Sequence, residues 1–195
     1  MSYNIPIPVN ESRWKYQTAS GGGLTVVMVA GSGGSIILRS PQGEDISYRY
    51  GGVGVGAGFG ARLPRFGKIN IQIKGKGVSG AGAAEAFTSF GKVFVSDSLV
   101  GRDLTSDDIT GPCMYTEVGG GLLVGGSATA LLFGLDPKLL ALAAALNSNP
   151  ATSLIASTTV NRQLLQSAKG AVVMAGINVG VQAGGGAAIY MGYLF

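Results

Sequence analysis

Apolar and polar positions alternate with a period of two through most of the first half of the chain. ISYRY at 46–50 and KINIQIK at 68–74 keep that alternation cleanly, the second with Ile69, Ile71 and Ile73 on one side. A period of two is the signature of half-buried strands. LTVVMVA (24–30) and SIILR (35–39) are β-branched runs, and Gly31-Ser32-Gly33-Gly34 between them predicts a hairpin turn. SPQGED (40–45) is turn chemistry and KVFVS (92–96) reads as a further short strand. From Gly52 to Gly60 glycine takes every even position, so one strand face is bare while Val53, Val55, Ala57 and Phe59 take the other. A bare face weakens a lone strand, which predicts that something approaches that backbone closely.

The pattern changes in the second half. Residues 118–135 and 170–195 carry no charge at all. Between these runs, Asp136-Pro137 makes an N-cap and first-turn pair for a helix that closes at Asn147. Leu154, Ile155, Leu164 and Leu165 have helical spacing, with Gly170 placed as a stop. The expected fold is therefore mainly β (α+β): an antiparallel glycine-rich sandwich or barrel with one or two helices in the C-terminal half. Residues 1–195 are expected to form a single domain. Within it lie an N-terminal extension (1–17), mostly strands (18–135), a helical insert (136–169) and glycine-rich strands (170–195).

Composition narrows the function. Glycine takes 34 of 195 positions, far above its usual share of about 7%, and charged residues are only 12%. So apolar and weakly charged a chain is not a disordered one. Histidine is absent and Cys113 stands alone, which removes Ser–His and Cys–His nucleophile pairs together with zinc sites of the His or multi-Cys kind. No catalytic constellation or cofactor requirement remains, and the expectation is a protein that is not an enzyme. Most basic residues precede residue 77, but they are spaced singly among strand-like segments and not clustered as in a recognition helix. Solvated strand faces account for them better than nucleic-acid contact. The start, MSYNIPIPVNESRWK, lacks a basic segment followed by an apolar core. The expectation is synthesis in the cytoplasm without a signal peptide and export by a non-Sec route.

Small residues recur every fourth position in Gly52, Gly56 and Gly60, again in Gly176, Gly180, Gly184, Ala188 and Gly192, and in Gly121 and Gly125. On a helix this spacing bares one face and lets backbones touch, which drives association in membranes. Residues 170–195 are long enough to cross a hydrocarbon layer of about 30 Å as a helix. Residues four apart also share a face on a strand, and Arg49 and Arg62 bracket the first series too closely for a spanning helix. Asn178 and Gln182 form a polar pair on one side in either geometry and are the pore-lining candidates.

Two resemblances follow from these residues. The ending Ile189-Tyr190-Met191-Gly192-Tyr193-Leu194-Phe195 resembles the last strand of bacterial outer-membrane barrels, with Phe at the end and Tyr193, Met191 and Ile189 at alternate positions. The glycine series, the moderate size and the missing histidine are similar to glycine-zipper pore-forming antibacterial toxins delivered by machines such as type VI secretion. That resemblance implies a protein soluble before insertion, with a target bilayer, self-association, and an immunity protein or secretion-machine component as partners. It assigns membrane insertion or oligomerisation to Gly52, Gly56, Gly60, Gly121, Gly125, Gly176, Gly180 and Gly184.

One motif points elsewhere. Gly75-Lys76-Gly77-Val78-Ser79-Gly80 follows a strand as G-x-G-x-x-G, and Asp97 ends the next strand, resembling the opening of a dinucleotide-binding unit. In that alternative Gly75, Gly77, Gly80 and Asp97 hold NAD(P) and the chain is an oxidoreductase. Against it, Gln72 and Lys74 interrupt a strand that should be apolar throughout. The preferred expectation is a membrane-active, pore-forming antibacterial toxin. The other alternative is a soluble β-barrel binding a lipid, a hydrophobic ligand or a protein. Among minor candidates, Trp14 and Tyr16 suit either an interfacial anchor or ordinary packing.

Overall fold

The computed structural model describes all residues except 1–2, 7–8, 27–28, 58–68, 74–75, 79–90, 100, 123, 149–156 and 180–183. In chain order the elements are β1 (Tyr3–Pro6), β2 (Val9–Glu11), β3 (Lys15–Val26), β4 (Val29–Arg39), β5 (Asp45–Ala57), β6 (Ile69–Ile73), β7 (Lys76–Val78) and β8 (Lys92–Ser96). Then come α1 (Ser106–Ile109), β9 (Gly111–Leu122), β10 (Val124–Phe133), α2 (Pro137–Ser148), α3 (Ser157–Gln166), β11 (Gly170–Val179) and β12 (Gly184–Leu194). The chain is mainly β, as its alternation predicts.

Nine strands form one antiparallel sheet in the order β2-β8-β11-β10-β9-β12-β5-β4-β3. β1, β6 and β7 make a separate three-stranded sheet, with β1 parallel to β6. The large sheet cannot be flat. Its outer strands β2 and β3 are joined through residues 12–14 alone, a link that reaches about 14 Å at most. The edges of nine flat strands would stand about 38 Å apart. The sheet therefore curls, and Tyr16 on β3 comes to lie over Gly91, directly before β8, so closely that a Cβ there would meet the ring at 2.5 Å. A register shift between Tyr16 and Thr18 helps β3 bend.

Curling creates two cores. Inside, Trp14, Ile36, Leu38, Tyr48, Tyr50, Val93, Tyr115, Leu131, Phe133, Val172, Tyr190 and Leu194 meet from nearly every strand. Outside, Leu164, Leu165 and Ala168 of α3 and its C-terminal end, with Ala143 of α2, pack on Phe94, Met114, Leu132, Ala171 and Val173. Asp136 starts α2 by accepting the N–H groups of Lys138 at 2.8 Å and Leu139 at 3.0 Å. α3 has its own reason to lie on the sheet: Val160, Leu164 and Leu165 share a face, while Arg162 and Gln163 are exposed.

One turn differs from expectation. β3 and β4 pair out to Val26 and Val29, and Gly31-Ser32-Gly33-Gly34 lies within β4, opposite Tyr50–Val53 of β5. Glycines signal turns because they tolerate unusual backbone angles. Between β4 and β5, by contrast, Gly43 takes φ +92° in the expected turn, where its N–H donates to the Ser40 carbonyl at 3.0 Å.

Candidate pore wall

The interior is filled at one end and bare at the other. At the filled end Tyr115 and Tyr190 stack with centroids 4.7 Å apart and planes at 15°, and Tyr50 meets Tyr115 edge-on at 5.1 Å and 75°. Both pairings lie within the geometry that aromatic quadrupoles favour. These rings form a floor across the curled sheet, because Tyr115, Tyr190, Leu131 and Val172 are register partners or neighbours in one row.

Beyond that floor the inner positions lose their bulk. Directly opposed residues of antiparallel strands share a face, as do residues two apart on one strand. Two steps from Tyr115 the inner row is Met174–Thr129–Glu117–Ala188–Gly56. Next comes Gly176–Ser127–Gly119–Gly186, and then Asn178–Gly125–Gly121–Gly184. On the other side of the sheet Ala30, Ser32 and Gly34 continue the face of Ile36 and Leu38. By register the positions of these three rows are glycine, alanine, serine, threonine and asparagine, with Met174 at the edge of the core and Glu117 as the single ionisable position among the described residues.

The outer positions at the same end are apolar. By register they are Val55 and Ala57 on β5, Val118 and Leu122 on β9, Val124 and Ala128 on β10, Ala175, Ile177 and Val179 on β11, and Ala187 and Ile189 on β12, with glycine at Gly120, Gly126 and Gly185 and a threonine at Thr116. A wall with small or polar residues inside and apolar ones outside inverts the pattern of a soluble barrel.

Five of the predicted residues, Gly56, Gly121, Gly125, Gly176 and Gly184, fall in these rows with Asn178, whereas Gly52 pairs with Gly192 in the row of Cys113, on the other side of the tyrosines. Gly60, Gly180 and Gln182 lie outside the described residues. The interval between Gly121 and Gly125 has a different origin from a helical repeat. They are register partners on β9 and β10. Glycine also solves a steric problem at the β5–β12 seam. A Cβ on Gly54 would stand 2.1 Å from the Ile189 carbonyl oxygen, and one on Gly192 would stand 2.1 Å from the Gly51 carbonyl oxygen. The backbone approach expected from the bare face is made by β12.

Of the dinucleotide candidates, two fall on described residues. Gly77 sits in β7, paired with Gln72 of the antiparallel neighbour β6, an arrangement unlike the parallel strand and helix of a dinucleotide-binding unit. Gly75 and Gly80 lie outside the described residues. Asp97 follows β8 in the other sheet, where the Asn10 side chain donates to it. No metal cluster occurs among the described residues. Trp14 is buried and its Nε1–H donates to the Leu104 carbonyl at 2.8 Å, so it is a packing anchor and not an interfacial one. Cys113 is a small interior residue with no exposed surface.

The end beneath the floor is locked by acids. Buried Asp108 accepts Arg102 at 2.5 and 3.1 Å, the Thr105 hydroxyl at 2.7 Å and Lys169 at 2.9 Å. The Arg102 guanidinium, helped by Thr105 and Lys169 against the cost of burial, holds this carboxyl well below the usual carboxylate range. Asp103 accepts the Ser12 hydroxyl at 2.6 Å and the Arg13 N–H at 2.9 Å, tying the 12–14 link to the loop before α1. Sequence reading missed the tyrosine floor, Ser127, Thr129 and Glu117 as members of the wall. Their grouping depends on which strand neighbours which, and no local pattern carries that.

The toxin protein Tse4 of Pseudomonas aeruginosa is 63% identical to this chain over 191 residues, covering 98% of this chain and 97% of that protein. No protein-family model matches, and no solved structure does either.

Proposed function

Because the chain belongs to the family of the toxin protein Tse4, we propose that it is a membrane-active, pore-forming antibacterial toxin whose curled sheet supplies the pore wall. One observation carries this reading: the rows through Gly176 and Asn178 are small or polar, while the alternate positions of β11, Ala175, Ile177 and Val179, are apolar and those beside Ile177 on β10, β9 and β12 are glycine. A strand in lipid needs that polarity, with an apolar exterior and a polar lumen. Strand ladders also satisfy backbone polar groups without water, the condition for crossing a bilayer. The seven long strands, β3–β5 and β9–β12, have 10 to 13 residues each. A tilted strand spans a membrane with about 9–11. Among the described residues no helix is long and apolar enough to cross a membrane, so strands carry the proposal.

In this reading glycine keeps the lumen wide, and Asn178, Ser127 and Thr129 hydrate it. The protein acts without chemistry on a substrate and needs no cofactor. It leaves the producing cell by a contact-dependent route of the type VI kind, and an immunity protein protects that cell. Dye release from vesicles of bacterial lipids tests the activity. Release that the lumen-filling variant Gly176→Ile abolishes is the expected result. Vesicles that stay sealed over a wide range of protein concentration and pH would overturn it.

A further inference from the structure

The described residues expose four large apolar side chains, and three of them share one place. Val53 (69% exposed), Tyr193 (56%) and Phe195 (65%) lie on the outer face of the β5–β12 pair, whereas Leu142 lies apart on α2. The register makes them one ribbon. Met191 opposes Val53 and Tyr193 opposes Gly51. Phe195 exchanges both backbone hydrogen bonds with Arg49, at 2.7 and 2.9 Å. Gly51 contributes no side chain, so the Tyr193 ring has open space beside it.

Three features commit this ribbon to a lipid surface. It is continuous with the apolar outer positions Ile189, Val55 and Ala57, so aromatic rings border an apolar band on the same sheet face. Aromatic residues at such a border favour the level of the lipid headgroups. Charge also fits. Arg49 and Lys15 are exposed cations on this side of the sheet, and Asp45 is already held by Arg39 at 2.7 Å. Finally, α2 and α3 pack on Phe94, Leu132, Ala171 and Val173, in a cluster whose margin reaches Ile189 and Met191 and leaves Val53, Tyr193 and Phe195 exposed.

Resting on the pore reading, we infer that the Arg49–Val53/Met191–Phe195 ribbon is the surface by which the folded protein docks on an anionic bilayer. Docking there sets the membrane level at Tyr193 and Phe195. The glycine-rich strand ends then point into the bilayer, and the helices remain on the aqueous side.

Flotation with phosphatidylglycerol/phosphatidylethanolamine vesicles, compared with phosphatidylcholine alone, tests the docking apart from release. The variant Tyr193→Ser/Phe195→Ser is expected to lose at least tenfold in binding to the anionic vesicles, and Arg49→Gln several-fold. Leu142→Ser, at the fourth exposed apolar residue, should bind as the parent does. Thermal melting reports whether each variant is folded. In a second arm, Phe195→Trp in a Trp14→Phe background is quenched by brominated lipid, and Leu142→Trp is not. Equal binding by the double variant, or equal quenching at both tryptophans, overturns the inference. So does a change confined to sedimentation, which would make the ribbon a contact between copies. Parent protein that binds through the ribbon without releasing dye would sink the pore reading and leave the docking surface standing.

Discussion

Tyr115 stacks on Tyr190 at 4.7 Å, and this pair divides the concave face of the curled sheet into a part packed with rings and a part lined by glycine. Both rings come from strands that continue into the bare end, so the packed and bare parts share their backbones. The same seven strands thus anchor the fold at one end and form the proposed lumen at the other.

Removing the floor should cost stability first. Tyr115 has no exposed surface, and Tyr115→Ala leaves a ring-sized hole, worth about 3–5 kcal/mol in a rigid core. Urea unfolding of the two proteins measures it. A loss under about 1 kcal/mol would mean that the interior collapses around the gap.

The β5–β12 seam should discriminate between adjacent glycines. Gly51 has nothing within 4 Å of an added Cβ, whereas Gly192 would meet the Gly51 carbonyl oxygen at 2.1 Å. Gly192→Ala is expected to destabilise by about 1–3 kcal/mol, the scale of overpacking. Gly51→Ala should stay within about 0.5 kcal/mol of the parent. Equal melting temperatures for the two variants would refute the tight seam.

Acid should loosen the base of the barrel through Asp108. Its native carboxyl ionises at lower pH than the unfolded one, so the contribution is complete above about pH 4 and is lost as pH falls through the native value. Asp108→Asn should lower stability by about 1–3 kcal/mol at neutral pH. It should also flatten the fall in melting temperature on acidification below about pH 5. A variant with the parent's full acid dependence would show that other carboxylates govern it.

Filling the lumen should separate activity from folding. Gly176 faces Ser127 across the β10–β11 ladder on the inner side, and isoleucine is a strong strand former. Gly176→Ile is expected to keep the parent's circular dichroism while dye release falls at least tenfold. Full release by a folded variant would place the conducting path elsewhere.

The periodicity of two, the charge-free runs and the Asp136-Pro137 cap sufficed for a mainly antiparallel β chain with helices in its C-terminal half. These signals are local: each depends on residues a few positions apart, and alternation survives any arrangement of the strands. Bareness at Gly52 and Gly56 was equally plain from spacing. What approached that face was not, because β12 arrives from more than a hundred residues away and only its register puts Gly192 on Gly52. Spacing alone also left Gly121 and Gly125 open between a helix face and two strands, and pairing across a hairpin decided it. Tertiary structure alone decided that the sheet curls, that Tyr50, Tyr115 and Tyr190 meet beneath Asn178, and that the Gly31–Gly34 run is strand and not turn. Long-range pairing chooses among neighbours that local propensity cannot distinguish, and the rows of the proposed lumen are set only once that choice is made.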